Sequence, residues 1–211
     1  MTDWYRRIAW TKEDEVEYFA KLKRARQSSR AQYLYIQAAT LTGTRRPELL
    51  NVAESLIQKL FTDYPDDRFN RSGSLELLGD IYRHRGDVDA AMAYYKQTID
   101  FEKTYPNVQG PAFLSFSELA VKLEKHEYFP FLEELLSAKV EQYPFPIYKY
   151  KIYTLLSIIS KTKGDKASAD QFAKLANEHA AATTSGFRYH PTVGVVSERD
   201  TDLDERMNKH I

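Results

Sequence analysis

The side chains that could carry out acid–base or metal chemistry are few and scattered along this chain. Five histidines are present, His84, His126, His179, His190 and His210, too far apart in sequence to form a local pair of metal ligands. Cysteine is absent, which excludes thiolate ligands, disulfides and a cysteine nucleophile. Glycine-rich phosphate loops and the HExxH, Glu-x-x-His and Gly-x-Ser-x-Gly motifs are also missing. The sequence therefore predicts no catalytic, metal or cofactor site and disfavours an enzyme.

Composition also argues against nucleic acid and membranes as general partners. The 30 basic and 30 acidic side chains cancel, so the whole molecule has no field that attracts an anionic surface. No apolar run approaches the roughly 18 residues that would indicate a membrane-spanning helix. Nor does an apolar signal core follow the N-terminus. We expect a soluble cytoplasmic protein, in agreement with the lack of cysteine.

One basic run lies in the N-terminal part of the chain, where residues 1–46 hold ten Lys and Arg against five Asp and Glu. It consists of Lys21, Lys23, Arg24, Arg26 and Arg30. With Tyr18 and Tyr33 nearby, such a run could bind a single-stranded nucleic acid. A solvated helix face is the alternative that we favour, because the acidic residues between 13 and 17 weaken the local field.

Helical spacing and turn residues divide most of the chain into one helix and four hairpins. Thr11 followed by Asp14 predicts a capped helix over 11–28. Tyr-Pro pairs at Tyr64, Tyr105 and Tyr143 recur at intervals of 41 and 38 residues and end successive units. The predicted hairpins are residues 30–65, 72–106, 111–144 and 146–183.

The hairpin at 72–106 carries the clearest motif: Leu78-Gly79-x-x-Tyr82, then Gly86, then Ala91 and Tyr95. This pattern resembles the tetratricopeptide repeat, a helix–turn–helix unit of about 34 residues. An offset of 78 residues carries Leu78, Gly86 and Ala91 onto the like residues of the fourth hairpin, and puts serine at the position of Gly79. The third hairpin matches only by its helical pattern, and the first aligns poorly.

The resemblance implies an all-α fold: a right-handed superhelix of antiparallel hairpins, a TPR-like α-solenoid, forming one domain over residues 1–196. Members of this family bind peptides in a concave groove lined by the first helix of each hairpin. The family register gives these contact residues: Glu76, Asp80, Arg83, His84, Ser115, Leu119, Lys122, Lys151, Thr154, Ile158 and Lys161. The cations among them predict a partner segment that carries some acidic residues.

Arg83-His84-Arg85, at the end of a first helix, has two interpretations. Paired guanidinium groups offer donors for a carboxylate or phosphate. Cations at a helix C-terminus are also stabilised by the helix dipole without any ligand. We favour the dipole for Arg85, and the ligand for Arg83 and His84, because the family register places those two residues on the groove face.

The C-terminal region changes character after Ala182. Residues 185–196 contain glycine, proline and apolar residues, which predicts an extended segment that covers the last hairpin as a cap. Its cluster of Phe187, Arg188, Tyr189 and His190 could instead contact a partner or plug the groove of the array. Residues 197–211 are charged, and we expect a short helix or a mobile tail there.

These patterns favour a non-enzymatic scaffold or adaptor that binds another protein or peptide. An inhibitor of one dedicated partner, such as a bacterial immunity protein, is the alternative within the same class; nucleic-acid binding and catalysis are less favoured. Self-association through the aromatic N-terminus or the apolar C-terminal segment stays open.

Overall fold

The structure is a computed structural model that describes residues 3–209. Within that range the chain forms helices joined by turns, with no strand, so the prediction of an all-α fold is confirmed. The helices are α1 Lys12–Arg24, α2 Gln27–Thr42, α3 Pro47–Asp63, α4 Arg68–His84, α5 Val88–Thr104, α6 Ala112–Lys122, α7 Phe129–Lys139, α8 Pro146–Thr162, α9 Lys166–Ala180 and α10 Thr201–Asn208, with a 3₁₀ turn at His126–Tyr128. His210 and the end of the predicted tail, residues 210–211, lie outside the described residues.

The helices start close to where their capping residues predict. Thr11 and Asp14 form a reciprocal capping box at α1. Asp67, Asp87 and Asp165 each accept backbone N–H bonds at the starts of α4, α5 and α9. The cap at Asp67 explains why α4 begins before the predicted residue 72. Polar caps of this kind fix where helices of the second and fourth hairpins begin.

The chain forms two compact units, the first ending at Ala112 and the second beginning at Phe113. In the first unit α4 packs against α2, α3 and α5. Its core is apolar and includes Leu34, Ile57 and Leu78, each fully buried. In the second unit α8 packs against α7, α9 and α10.

Helices α4 and α5 approach closely at Gly79. A Cβ on that residue would lie 2.4 Å from the Tyr95 ring, so only glycine fits beside the buried tyrosine. Position 86 also requires glycine, because Gly86 forms the turn before Asp87 with a φ of +80°. Gly164 repeats that turn with the same φ before Asp165 in the fourth hairpin. The first and third hairpins place non-glycine residues in the left-handed region instead: Arg45 at φ 58° and Glu124 at φ 54°.

Candidate functional site

The predicted contact residues lie on first helices of hairpins in both units. The α4 face holds Glu76, Asp80, Arg83 and His84. The α6–α8 groove, our term for the adjoining faces of α6 and α8, holds Ser115, Leu119, Lys122, Lys151, Thr154, Ile158 and Lys161. Each set lies within a single unit.

The α4 face is built around carboxyl groups in poorly solvated surroundings. Tyr95 donates its hydroxyl to Asp80 Oδ1 at 2.6 Å. Glu102 of α5 accepts bonds from Ser72 Oγ at 2.7 Å and from the Gly110 N–H at 2.8 Å. Asp80 and Glu102 therefore have donors supplied by the chain itself.

Glu76 has the most perturbed carboxyl group on this face. Burial raises its pKa to about 8, and the neighbouring Asp80 and Glu102 charges act in the same direction. At neutral pH the side chain therefore remains largely protonated and can donate a hydrogen bond. Tyr35 of α2 adjoins the same carboxyls, and burial together with Glu76 and Asp80 raises its pKa as well.

Arg83 and His84 lie at the C-terminal end of the same face, with Arg83 half-buried and His84 exposed. Burial raises the pKa of Asp80, while the Tyr95 hydrogen bond and the charges of His84 and Arg83 oppose that shift. Partial burial, followed by the Arg45 charge, lowers the pKa of His84. This end of the face can present one permanent cation and one imidazole; their contact with a partner stays a prediction.

In the second unit α10 lies on the α6–α8 groove. Lys122 Nζ of α6 donates to Asp200 Oδ2, the N-cap of α10, at 2.6 Å. Lys161 Nζ of α8 lies 3.3 Å from the carbonyl oxygen of Arg206 and 3.4 Å from that of Met207. Two of the predicted contact residues thus bind the two ends of a helix that belongs to the same chain.

The apolar side of α10 is buried. Leu203 is 2% exposed and Met207 4% exposed, four residues apart on one stripe of the helix. Tyr150 of α8 donates to Asp204 Oδ1 at 2.9 Å and accepts the Asp200 N–H at 3.1 Å. Burial and the bond to Asp204 raise the pKa of Tyr150 to about 12, so the phenol stays a donor at neutral pH.

The remaining predicted residues of the α6–α8 groove are largely enclosed. Lys151 pairs with the buried Glu118 at 2.7 Å. Thr154 is fully buried and its hydroxyl donates to the Tyr150 carbonyl, so in this conformation it is a core residue rather than a surface contact. The family register predicted Thr154 as a contact because it indicates a helix face and not the depth of each residue. Leu119 and Ile158 are buried at 7% exposure each, and Ser115 is half-buried.

The segment predicted as an extended cap forms turns instead. Gly186 and Gly194 have φ of +83° and +76°, which bend the backbone. Phe187 stacks on Phe145 at 5.1 Å, and the Gly194 carbonyl accepts the Ile147 N–H at 2.8 Å, both at the start of α8. The remaining cluster residues, Arg188, Tyr189 and His190, are exposed. The α6–α8 groove is therefore occupied by α10. The Phe187 cluster, which the sequence suggested as a plug, does not fill it.

The N-terminal basic run makes local contacts. The Arg30 guanidinium donates to the carbonyls of Lys23 and Ala25, at 2.7 and 3.0 Å, where α1 ends. Lys21 pairs with Glu17 at 2.6 Å. These contacts agree with a helix-end and surface role for the cations.

The aromatic N-terminus is occupied within its own unit. Trp4 lies 5.3 Å from Tyr18 and 5.0 Å from Tyr33, measured between ring centroids. The Gln37 side chain holds the N-terminal segment in place: it accepts a hydrogen bond from the Arg7 N–H at 2.9 Å and donates one to the Arg7 carbonyl at 2.8 Å. Most of this apolar surface therefore packs on α1 and α2.

Sequence reasoning missed Leu203 and Met207, because the segment that holds them is charged. A signal was present: Asp200 as an N-cap, followed by apolar residues three and seven positions later, predicts a short amphipathic helix. Across residues 3–209 there is no group of three His, Asp or Glu side chains arranged to hold a metal ion. In the same range no helix is both long and apolar enough to cross a membrane.

The two faces offer hydrogen bonds and charge pairs, and the α6–α8 groove in addition offers an apolar seat for a helix. Comparison with known proteins finds no matching family model, no similar curated protein and no similar solved structure. Inference about function therefore depends on the chain's own residues.

Proposed function

We propose that this protein is a non-enzymatic cytoplasmic scaffold, a TPR-like right-handed superhelix whose first helices bind a segment of another protein. The observation that carries the proposal is the docking of α10 on the α6–α8 groove, through Lys122 and Lys161 at its ends and an apolar stripe between them. Helix-in-groove recognition uses this combination of apolar anchors and end contacts.

The hairpin geometry supports the repeat part of the proposal. Where α4 and α5 approach most closely, Gly79 leaves room for the ring of Tyr95 because glycine has no side chain. The glycine–aspartate turn recurs at Gly86 and Gly164 with one backbone conformation and one capping role. Repeated hairpins that each bury a face on their neighbours are the basis of solenoid architectures.

The charge of the two faces supports a partner with acidic side chains. Lys122 engages Asp200 and lies 3.9 Å from Asp202 as well, so the groove already accepts carboxylates. Arg83 adds a permanent positive charge at the end of the α4 face. Complementary charges of this kind contribute more to specificity and association rate than to affinity.

The test begins with the immobilised full chain, which captures partners from a lysate of the source cells. A captured protein is then purified, and its Kd is measured against wild-type chain, Arg83→Ala with His84→Ala, and Lys122→Ala. We expect at least one first-helix variant to bind about tenfold more weakly or worse, as for a central interface residue. Lys174→Ala on α9 is the matched control, because that lysine is 78% exposed and pairs only loosely with Glu178.

Equal Kd values for all four chains would contradict the proposal. Stoichiometry separates a general adaptor from an inhibitor of one protein: tight one-to-one binding to a single partner indicates the inhibitor. Calorimetry on the same purified pair provides that ratio.

A further inference from the structure

The helix in the α6–α8 groove is recognised mainly by features that many helices share. Lys122 binds the Asp200 carboxylate, Tyr150 binds the Asp200 N–H, and Lys161 binds the last carbonyls of the helix. A cation at the C-terminus and an anion at the N-terminus both match the helix dipole. Apart from the Tyr150 bond to Asp204, few of the groove's polar contacts with α10 require its particular sequence.

The apolar contribution of α10 to the contact is small. Leu203 and Met207 are its only buried residues among 201–208. Burial of two apolar side chains is a weak driving force once the entropic cost of ordering the helix is subtracted. The contact is stable because residues 181–200 tether α10 beside the groove, which gives an effective concentration on the order of 1 mM.

The groove is also larger than its occupant. α10 has 8 residues, whereas α8 beneath it has 17. Open hollows of about 950 and 210 Å³ flank α10. Charged side chains such as Glu124 and Lys161 line the first together with the already buried Phe129 and Ile158, and residues of α8 and α9 line the second. A longer helix with charged as well as apolar side chains can occupy space that α10 leaves open.

We propose that α10 is an internal stand-in for a partner helix, and that the α6–α8 groove binds an amphipathic helix of another protein by displacing α10. The partner helix carries an aspartate N-cap, further acidic residues in its first turn, and apolar residues three and seven positions after the cap, as Asp200, Leu203 and Met207 do. This inference rests on the proposed scaffold function and specifies its ligand as a helix with an acidic N-terminus.

The test uses a fluorescently labelled synthetic peptide of residues 197–209 as the probe. The receptor is the full chain carrying Leu203→Asp with Met207→Asp, which removes both apolar anchors and undocks α10. We expect this chain to bind the peptide with a Kd at least about tenfold lower than that of the wild-type chain, because tethered α10 competes in the wild type. Fluorescence anisotropy provides both values, and the same peptide with both aspartate substitutions is the matched control, which should not bind.

A charge reversal tests the end contact. Lys122→Glu in the undocked chain should weaken peptide binding about tenfold, and a peptide with Asp200→Lys should recover it. An undocked chain that keeps its helical circular dichroism but does not bind the wild-type peptide would overturn the inference. A Lys122→Glu chain that binds both peptides alike would also overturn it.

The wild-type chain gives a second readout in case the double variant fails to fold. Millimolar peptide should speed hydrogen exchange at the amides of residues 201–208, because displaced α10 loses its protection. Unchanged exchange there contradicts displacement. A negative result in these peptide experiments leaves the scaffold proposal intact if a captured partner is still sensitive to Arg83→Ala with His84→Ala.

Discussion

The α4 face and the α6–α8 groove both lie on first helices of the predicted hairpins, yet the partly buried carboxyl groups in them have opposite pKa shifts. On the α4 face, carboxyl groups crowd together, and burial raises the pKa of Glu76 to about 8. In the α6–α8 groove, burial also acts to raise the pKa of Asp200, but the bonds from Lys122 and from the Leu203 N–H outweigh it and lower the pKa. Glu76 on the α4 face retains its proton, whereas Asp200 in the α6–α8 groove forms a salt bridge with Lys122.

The difference shows that a position on a helix face does not determine what surrounds the residue there. Glu76 has acidic neighbours within its own hairpin, namely Asp80 of α4 and Glu102 of α5. Lys122 has acidic neighbours because α10 returns to the groove from far along the chain. The chemistry of the groove therefore depends on an element outside its hairpins, whereas that of the α4 face arises within one hairpin.

The largest expected effect is on the free energy of unfolding, and it distinguishes the α4–α5 contact from the α8–α9 contact. Gly79→Val should destabilise the first unit by about 3 kcal/mol, because its side chain meets the immobile Tyr95 ring. At the matching position of the fourth hairpin, Ser157→Ala should cost only about 1 kcal/mol, the value of its 2.8 Å bond to the Ala169 carbonyl. Urea unfolding followed by circular dichroism measures both. Equal losses would contradict the prediction, because the Ser157 hydrogen bond would then contribute as much as the close approach at Gly79.

The next prediction concerns the pH dependence of the two faces. Because the folded pKa of Glu76 is raised from 4.5 to about 8, the folded state retains a proton that the unfolded state has lost, and stability falls as pH rises through that window. Allowing for partial exposure, we expect a loss of about 2 kcal/mol between pH 5 and 8, against roughly 5 kcal/mol for the full shift. Glu76→Gln should remove this loss. Both tryptophans lie in the first unit, so urea titrations followed by tryptophan fluorescence report it.

Asp200 gives the contrast, because its folded pKa is lowered below 3.8. Its contribution is present above that value and is lost as pH falls through the folded pKa, the reverse of the Glu76 window. Asp200→Asn is therefore the control: it should leave the slope between pH 5 and 8 unchanged. A slope that persists in Glu76→Gln would assign the effect to Asp80, whose pKa burial also raises.

Much of the helical framework could be predicted from local signals. Thr11, Asp87 and Asp165 are caps that act within three residues, and Gly79 and Gly86 report constraints of one hairpin. Such signals need no knowledge of distant contacts. Many helix limits therefore follow from the sequence. The exceptions include α1, which ends at Arg24 and not at residue 28, α2, which begins at Gln27 before the predicted residue 30, and α4, which Asp67 starts early.

The α6–α8 groove could be predicted only in part, because its contacts span long sequence distances. Lys122 and Asp200 are separated by 78 residues, and Lys161 and Met207 by 46. A charged segment with two apolar residues resembles a mobile tail until a groove that accepts both is known. The burial of Thr154 could not be predicted either, because a helix register does not distinguish a core position from a position at the rim of a groove.

The smallest expected effect concerns the hairpin turns and links the first hairpin to the α4 face. Arg45 has a φ of 58°, a backbone conformation that destabilises the folded state by about 1 kcal/mol for a residue with a side chain but not for glycine. Part of the gain from glycine is lost because glycine also gives the unfolded chain more conformational freedom. Arg45→Gly should therefore stabilise the first unit by about 0.5 kcal/mol, whereas Gly86→Ala should destabilise it by about 1 kcal/mol. Arg45→Ala separates charge from backbone: both Arg45 variants should raise the pKa of His84 in an NMR titration, but only the glycine variant should stabilise. If Arg45→Ala stabilises equally, the gain comes from removing the Arg45 side chain and not from the backbone. The left-handed turn in the first hairpin would then cost as little as its glycine counterpart in the second.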